Sequence, residues 1–193
     1  LPFLCADPAL QAHMADRAQR ALGDAPVCPD ADVLQALDDF EPLALEALRF
    51  RPVVPFNSFT AIQDTVLGGV KVPARTVMFF LKRPAMQDPA NFEQPQRYDP
   101  ERWRRDRREG GSAHEARAFV QFGAGPRVCP GRHLATVVMR LVLSTLLRHF
   151  ELELAVSPDQ IEEVNAFTVM PDRMPVRLRR RGAAAAAADR PGH

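Results

Sequence analysis

Apolar residues recur at helical spacing in the first third of the chain. The segment Pro8–Leu22 follows this pattern and ends at Gly23, a residue that commonly terminates helices, so we predict one helix here. Asp30 and Asp32 can cap a short helix that continues through residue 37. A proline at position 42 then opens a further helix that runs to residue 50, where another proline follows.

The longest uninterrupted pattern covers residues 131–150, which contain no helix breaker. Its apolar positions make a broad face, and such a face is typical of a helix buried on most of its circumference. The positions that form this face are Leu134, Val137, Val138, Leu141, Val142, Thr145 and Leu146.

The segments FNSFTAI, DTVLGGVKV and RTVMFF are rich in β-branched and aromatic residues, with the turn residues Gly68 and Gly69 between them. They predict a small antiparallel sheet, and ELELAV, NAFTV and MPVRL predict short closing strands. The alanine-rich residues 182–193 predict a disordered tail. The expected fold class is therefore mainly α with small antiparallel β-sheets.

Composition narrows the possible partners of the chain. Of its 193 residues 46% are apolar, and 25 Lys and Arg against 24 Asp and Glu give a net charge of +1. This balance favours neither nucleic acid nor an anionic membrane, so we expect no nucleic-acid partner. There is no long apolar run and no signal peptide, and the three widely spaced cysteines favour a reducing compartment, hence the cytoplasm. Because the chain starts without Met, we also expect that its true N-terminus, with any membrane anchor, is missing.

The segment FGAGPRVCPGRHLA places Cys129 directly before Pro130, which is well suited to the first turn of a helix. At a helix N-terminus the thiolate form is favoured, and it can act as a nucleophile, a redox centre or a metal ligand. His133 is a poorly placed base, zinc lacks further local ligands, and the glycines fit no phosphate-binding loop. A buried structural cysteine is the remaining alternative, and these residues alone leave the choice open.

The ten-residue segment from Phe122 to Gly131 narrows the possible roles of Cys129. It matches FxxGxRxCxG and resembles the haem-binding signature of the cytochrome P450 family, the haem-thiolate monooxygenases. The resemblance implies a haem b cofactor, with Cys129 as the axial ligand of the iron and with a cradle around it. In this family the thiolate pushes electron density towards bound oxygen. The cradle residues implied are Phe122, Gly125, Arg127 and Gly131, with Arg127 pairing a haem propionate.

The resemblance extends to a second group of residues. Glu46 and Arg49 form an ExxR pair on one helical face, and DPERW contributes Arg102. In the family such residues form a buried, salt-bridged triad that locks the loop beneath the haem, which is a structural role. The order of these motifs is the family's order, and residues 1–181 are expected to form the C-terminal part of the P450 fold, the proximal haem half.

Three departures from the family pattern stand out. Arg75 occupies a position where the family usually has Gly, so a turn with positive φ would be strained there. Val138 replaces an acidic residue. No segment matches the AGxxT-type pattern of the distal, oxygen-activating helix, so no catalytic residue beyond the haem ligand can be assigned, and this chain alone is expected to lack that helix.

In a complete relative, one atom of dioxygen enters a lipophilic small-molecule substrate, and a ferredoxin, flavodoxin or reductase donates the electrons. By the same resemblance, part of the substrate pocket is lined by Val53, Val54, Phe56, Phe167 and Val169. A basic proximal face for the electron donor would comprise Arg104, Arg105, Arg107, Arg108 and Arg132. The alternative function is a non-catalytic or truncated haem-binding fragment.

Overall fold

A computed structural model describes residues 1–104 and 116–182. The α-helices of these residues are α1 (Pro2–Cys5), α2 (Pro8–Leu22), α3 (Ala31–Ala36), α4 (Glu41–Phe50), α5 (Lys82–Met86) and α6 (Arg132–His149). The strands are β1 (Phe56–Thr60), β2 (Thr65–Leu67), β3 (Val70–Val72), β4 (Val77–Leu81), β5 (Phe150–Leu154), β6 (Glu163–Asn165), β7 (Val169–Pro171) and β8 (Val176–Arg180). Helices predominate over short strands, which confirms the predicted fold class.

Helix α2 has the bounds that its sequence predicts because both of its ends are determined locally. The Asp7 side chain accepts a hydrogen bond from the Leu10 N–H at 2.8 Å, and Gly23 follows the last turn with a φ of 54°. The buried Gln11 side chain donates to the carbonyl of Leu152 and accepts from the N–H of the same residue. Strand β5 is therefore fastened to α2 by a pair of buried hydrogen bonds.

Two apolar clusters form the interior of the described chain. The first, which we call the helical core, lies between α2, α6 and β5 and includes Met14, Phe40 and Leu147. The second, which we call the aromatic core, is smaller and lies between α4, α5 and the segment before α6. Its buried members are Leu45, Met86, Phe92 and Trp103.

The strands pair as two-stranded antiparallel ladders: β1 with β4, β2 with β3, β5 with β8 and β6 with β7. Residues 56–81 were expected to form one small sheet. In the structure β2 and β3 instead form a separate hairpin around Gly68 and Gly69, whose φ angles are 56° and 82°. Positive φ at two consecutive glycines produces a tight turn, so the hairpin closes on itself.

The prediction that the last long helix is buried on most of its circumference is wrong. Helix α6 buries Thr136, Ser144 and Leu147, whereas Leu134, Val138 and Val142 are between 47% and 68% exposed. These three lie four residues apart on one face, against which no element of the described residues packs. Periodicity reveals an apolar face but not whether the same chain covers it. Within the described ranges, no helix is both long and apolar enough to cross a membrane.

Arg75 has a φ of 66°, the left-handed conformation that the family resemblance implied, and it is exposed. Replacement by glycine removes this strain but increases the entropy of the unfolded chain, so Arg75→Gly is expected to stabilise the protein by a net ~0.5–1 kcal/mol. Urea unfolding followed by circular dichroism measures the change. The matched control is Ala74→Gly, at an exposed position without positive φ, which should destabilise by a few tenths of a kcal/mol or more. Equal effects of the two substitutions would contradict the strain argument.

Candidate functional site

Glu46 lies at the centre of a buried ion cluster between α4 and the turn Pro100–Trp103. Arg49 donates from Nε to Oε2 and from Nη2 to Oε1 of Glu46, each at 3.0 Å, and Arg102 donates from Nε to Oε1 at 3.0 Å. The side chains of Glu46 and Arg49 are 0% exposed and that of Arg102 is 1% exposed. The structure thus brings together the three residues that the ExxR and DPERW motifs indicated.

Two guanidinium groups face one carboxylate, and main-chain carbonyls accept further guanidinium hydrogens. Arg49 donates to the carbonyls of Met86 at 2.8 Å and of Arg97 at 3.2 Å, and Arg102 donates to that of Glu93 at 3.0 Å. Buried charges are tolerated when they are paired and hydrogen-bonded in this way. The cluster therefore connects α4 with α5 and with the loop that follows α5.

Trp103 is a member of the site that the sequence did not indicate. Its indole Nε1 donates to Oε2 of Glu46 at 2.8 Å, and its ring contacts that of Phe119 at a centroid distance of 4.6 Å. Phe119 in turn lies 6.4 Å from Phe122, the first residue of the cysteine signature. A continuous set of contacts thus runs from the ion cluster to the cysteine loop.

The loop before α6 turns back on itself and presents Cys129 to solvent. Gly123 and Gly125 have φ angles of 74° and 63°, values that favour glycine. The Cys129 N–H donates to the Phe122 carbonyl at 2.8 Å. Pro130 was expected to open the helix, but α6 begins at Arg132. The thiol therefore lies two residues before the N-cap Gly131, not directly before the first helical residue.

The residues present fit a haem ligated by a thiolate. Cys129 is a free, exposed thiol, and a Cβ added at Gly131 would lie 3.8 Å from its sulfur, so glycine leaves the approach to the sulfur open. Arg127 is exposed and forms no ion pair within the described part of the chain, so it is available to an anionic group. In the same ranges no three His, Cys, Asp or Glu side chains cluster as zinc ligands would.

The proposed pocket-lining segments meet at one place. The Val169 N–H donates to the Val53 carbonyl at 2.7 Å, which joins β7 to the segment before β1. Phe167, at the tip between β6 and β7, is 91% exposed, and Phe56 is 45% exposed with its ring 5.4 Å from that of Phe79. Apolar side chains at this junction remain available for contact.

Of the proposed basic face, the structure describes only two residues. Arg104 lies 3.8 Å from Asp39 and 3.3 Å from Glu101, so acidic neighbours partly neutralise it. Arg132 is exposed, and its guanidinium carbon lies 5.7 Å from the Phe122 ring centroid. Arg105, Arg107 and Arg108 lie outside the described residues.

Glu163 joins the β6–β7 hairpin to Arg83 in α5 and to Arg51, which directly follows α4. The sequence did not predict this contact. The Glu163 carboxylate accepts hydrogen bonds from Arg83 Nη2 at 2.8 and 3.0 Å and another from Arg51. Burial acts to raise the pKa of Glu163, but the two guanidinium groups outweigh burial and hold that pKa below its usual value. The pair connects residues 163 and 83 across the fold, so no local sequence pattern reveals it.

Because the pKa of Glu163 is lower in the folded chain, its stabilising contribution is complete above the unfolded pKa and is lost as pH falls through the folded value. Glu163→Gln is therefore expected to destabilise the chain by about 1 kcal/mol or less at pH 7. The difference from the unsubstituted chain should be smaller at about pH 3 than at pH 7. Urea unfolding at both pH values measures it. Glu162→Gln, at an exposed neighbouring position, is the control, and a pH-independent difference for Glu163→Gln would contradict the ion pair.

Comparisons with known proteins agree with these observations. A family profile described as Cytochrome P450 matches residues 1–177. Cytochrome P450 27C1 of Danio rerio is 32% identical over 86% of this chain and 29% of its own length. The mitochondrial 25-hydroxyvitamin D-1 alpha hydroxylase of Homo sapiens is 35% identical over 65% of this chain and 24% of its own length.

Among solved structures, the heme domain of cytochrome P450DA superposes with a TM-score of 0.82 and 29% sequence identity. The match covers 93% of this chain and 39% of that domain. The chain thus spans between about a quarter and two fifths of the relatives it matches.

Proposed function

This chain belongs to the cytochrome P450 family, and we propose that it is the C-terminal, haem-holding portion of a haem-thiolate monooxygenase. The complete protein would insert one atom of dioxygen into a lipophilic organic substrate. The observation that carries the proposal is the exposed thiol of Cys129, held by its own N–H on the Phe122 carbonyl at 2.8 Å. Residues 1–181 would form this portion as one unit.

Haem b, when bound, supplies the iron that activates dioxygen. The residues of this chain would bind and orient that group. Cys129 would ligate the iron, Phe122, Gly125 and Gly131 would form a cradle for the haem, and Arg127 would pair a propionate.

Glu46, Arg49 and Arg102 would hold the loop in place without taking part in the chemistry. Their contacts support this role, because Trp103 donates to Glu46 and the rings of residues 103, 119 and 122 follow one another towards the cysteine. A rigid support of this kind keeps a metal ligand within the narrow range of geometry that ligation needs.

A lipophilic substrate is supported by the apolar junction of Val53, Val54, Phe56, Phe167 and Val169. Two relatives are named as a 25-hydroxyvitamin D-1 alpha hydroxylase and a sterol 26-hydroxylase, which is consistent with oxidation of such a substrate. Electrons would come from a ferredoxin, flavodoxin or reductase that contacts the proposed basic face, to which Arg132 belongs. The free cysteines favour a reducing compartment, and we propose the cytoplasm, although both of these relatives carry the word mitochondrial in their names.

A hemin titration of the 193-residue chain, followed by reduction and exposure to carbon monoxide, tests the proposal. A strongly red-shifted Soret band is expected from thiolate ligation. A band without this shift at saturating hemin would contradict it.

The second candidate function is a haem-binding fragment without catalysis. It is favoured by the exposed apolar face of α6 and by the match to only 39% of a solved heme domain. The two candidates differ in turnover. A red-shifted band with no oxidised product, in the presence of an electron donor and a lipophilic substrate, would support the second candidate, a haem-binding fragment without catalysis.

A further inference from the structure

Lys82 is an unusual residue in this chain. Only two of the 25 Lys and Arg residues are lysines. Lys71 is exposed in the β2–β3 hairpin, whereas Lys82 is 3% exposed at the start of α5. An ammonium group carries a compact, strongly hydrated charge, so its burial is costly unless hydrogen bonds replace the water. The position of Lys82 therefore calls for a specific partner.

That partner is the cysteine loop. Lys82 Nζ donates to the Gln121 carbonyl at 3.0 Å, and Gln121 directly precedes Phe122, whose carbonyl accepts the Cys129 N–H at 2.8 Å. Two hydrogen bonds and the backbone of Phe122 thus connect the ammonium group to the cysteine. The Gln121 side-chain oxygen is buried and has no partner in the described ranges, which costs free energy. Other contacts must hold the segment against this cost, and the bond from Lys82 is one of them.

The main chain of Lys82 is also held by a hydrogen bond. The Lys82 N–H donates to the Pro55 carbonyl at 2.9 Å, directly beside the first pair of the β1–β4 ladder, Phe56 with Leu81. Burial lowers the pKa of Lys82, and a negative charge on Cys129 acts in the opposite direction. Lys82 therefore joins the proposed pocket-lining segment to the cysteine loop.

We propose that Lys82 is a positioning residue whose buried ammonium group holds residues 121–129 in the conformation that presents Cys129 to the haem iron. Presentation of Cys129 to the haem iron rests on the proposed function, whereas the hold of Lys82 on residues 121–129 does not. Lys82 touches neither the sulfur nor any reacting atom, and it acts through the carbonyls of residues 121 and 122.

Amide hydrogen exchange of the haem-free chain, resolved by NMR, tests the positioning directly. Loss of a charge-assisted hydrogen bond in Lys82→Met should make the Cys129 amide exchange roughly tenfold faster. The Leu152 amide, which donates to Gln11 in the helical core, should not change by the same factor. Lys82→Arg should keep Cys129 within about threefold of the unsubstituted chain, because it retains a charged donor. Lys71→Met is the matched control and should change neither amide.

Two results would overturn the proposal. One is an unchanged Cys129 amide in Lys82→Met. The other is an equal acceleration of Cys129 and Leu152, since this would show that the substitution only destabilises the whole chain.

The haem-loaded protein supplies the second readout. After hemin, reduction and carbon monoxide, Lys82→Met should show a smaller red-shifted fraction than Lys71→Met, and Lys82→Arg should restore it. An equal fraction in the two methionine variants would contradict the role towards iron. If the unsubstituted chain gives no red-shifted band, the proposed function fails, while the exchange rates still decide whether Lys82 positions the loop.

Discussion

Glu46→Gln is expected to destabilise the chain by about 3–5 kcal/mol, because it leaves two buried guanidinium groups without a carboxylate. A domain of ordinary stability has about 5–15 kcal/mol in total, so the variant should lie close to unfolding at 25 °C. The glutamine oxygen can still accept from Trp103, but it cannot neutralise either charge. Urea unfolding followed by circular dichroism measures the loss.

The matched control for this substitution lies in the same part of the site. Glu101 is 58% exposed and pairs with Arg104 at 3.3 Å, so Glu101→Gln should cost about 1 kcal/mol or less. If the two variants lose similar stability, then burial does not make the Glu46 cluster more stabilising than the exposed Glu101–Arg104 pair. Tyr98 also reports on the buried Glu46 cluster, because burial and the Glu46 charge both raise the pKa of its phenol group.

The elements that sequence alone predicted well are those whose ends are set by neighbouring residues. Helix α2 begins at an aspartate cap and ends before a glycine, and its bounds agree with the structure. Helix α5 was missed because its five residues contain Pro84 and follow an apolar strand. Three of its contacts are distant in sequence, to Gln121 through Lys82, to Glu163 through Arg83 and to Arg49 through Met86. No local pattern encodes partners of this kind.

In the candidate site, too, motifs indicated some residues, whereas other contacts depend on how the whole chain folds. The resemblance of the ExxR and DPERW motifs to those of the family indicated Glu46, Arg49 and Arg102, and the structure places these residues in contact. It did not indicate Trp103, whose indole donates to Glu46 across 57 positions of the chain. Nor could it show that the Leu134 face of α6 stays exposed, because burial depends on which other elements the chain supplies. Spacing specifies which side chains can share a face, whereas partners depend on the whole fold.

The three cysteines provide the most direct test of the proposed iron ligand. Cys129→Ala is expected to abolish the red-shifted band of the reduced, carbon monoxide-treated protein, because alanine offers no thiolate. Cys5→Ala and Cys28→Ala should retain the band, although these half-buried side chains pack against the helical core and their loss should lower stability more. Cys129 is exposed, so its replacement should change the free energy of unfolding by about 0.5 kcal/mol or less. Absorption spectra and urea unfolding of the three variants separate loss of ligation from loss of folding. A red-shifted band that survives in Cys129→Ala would show that another group ligates the iron.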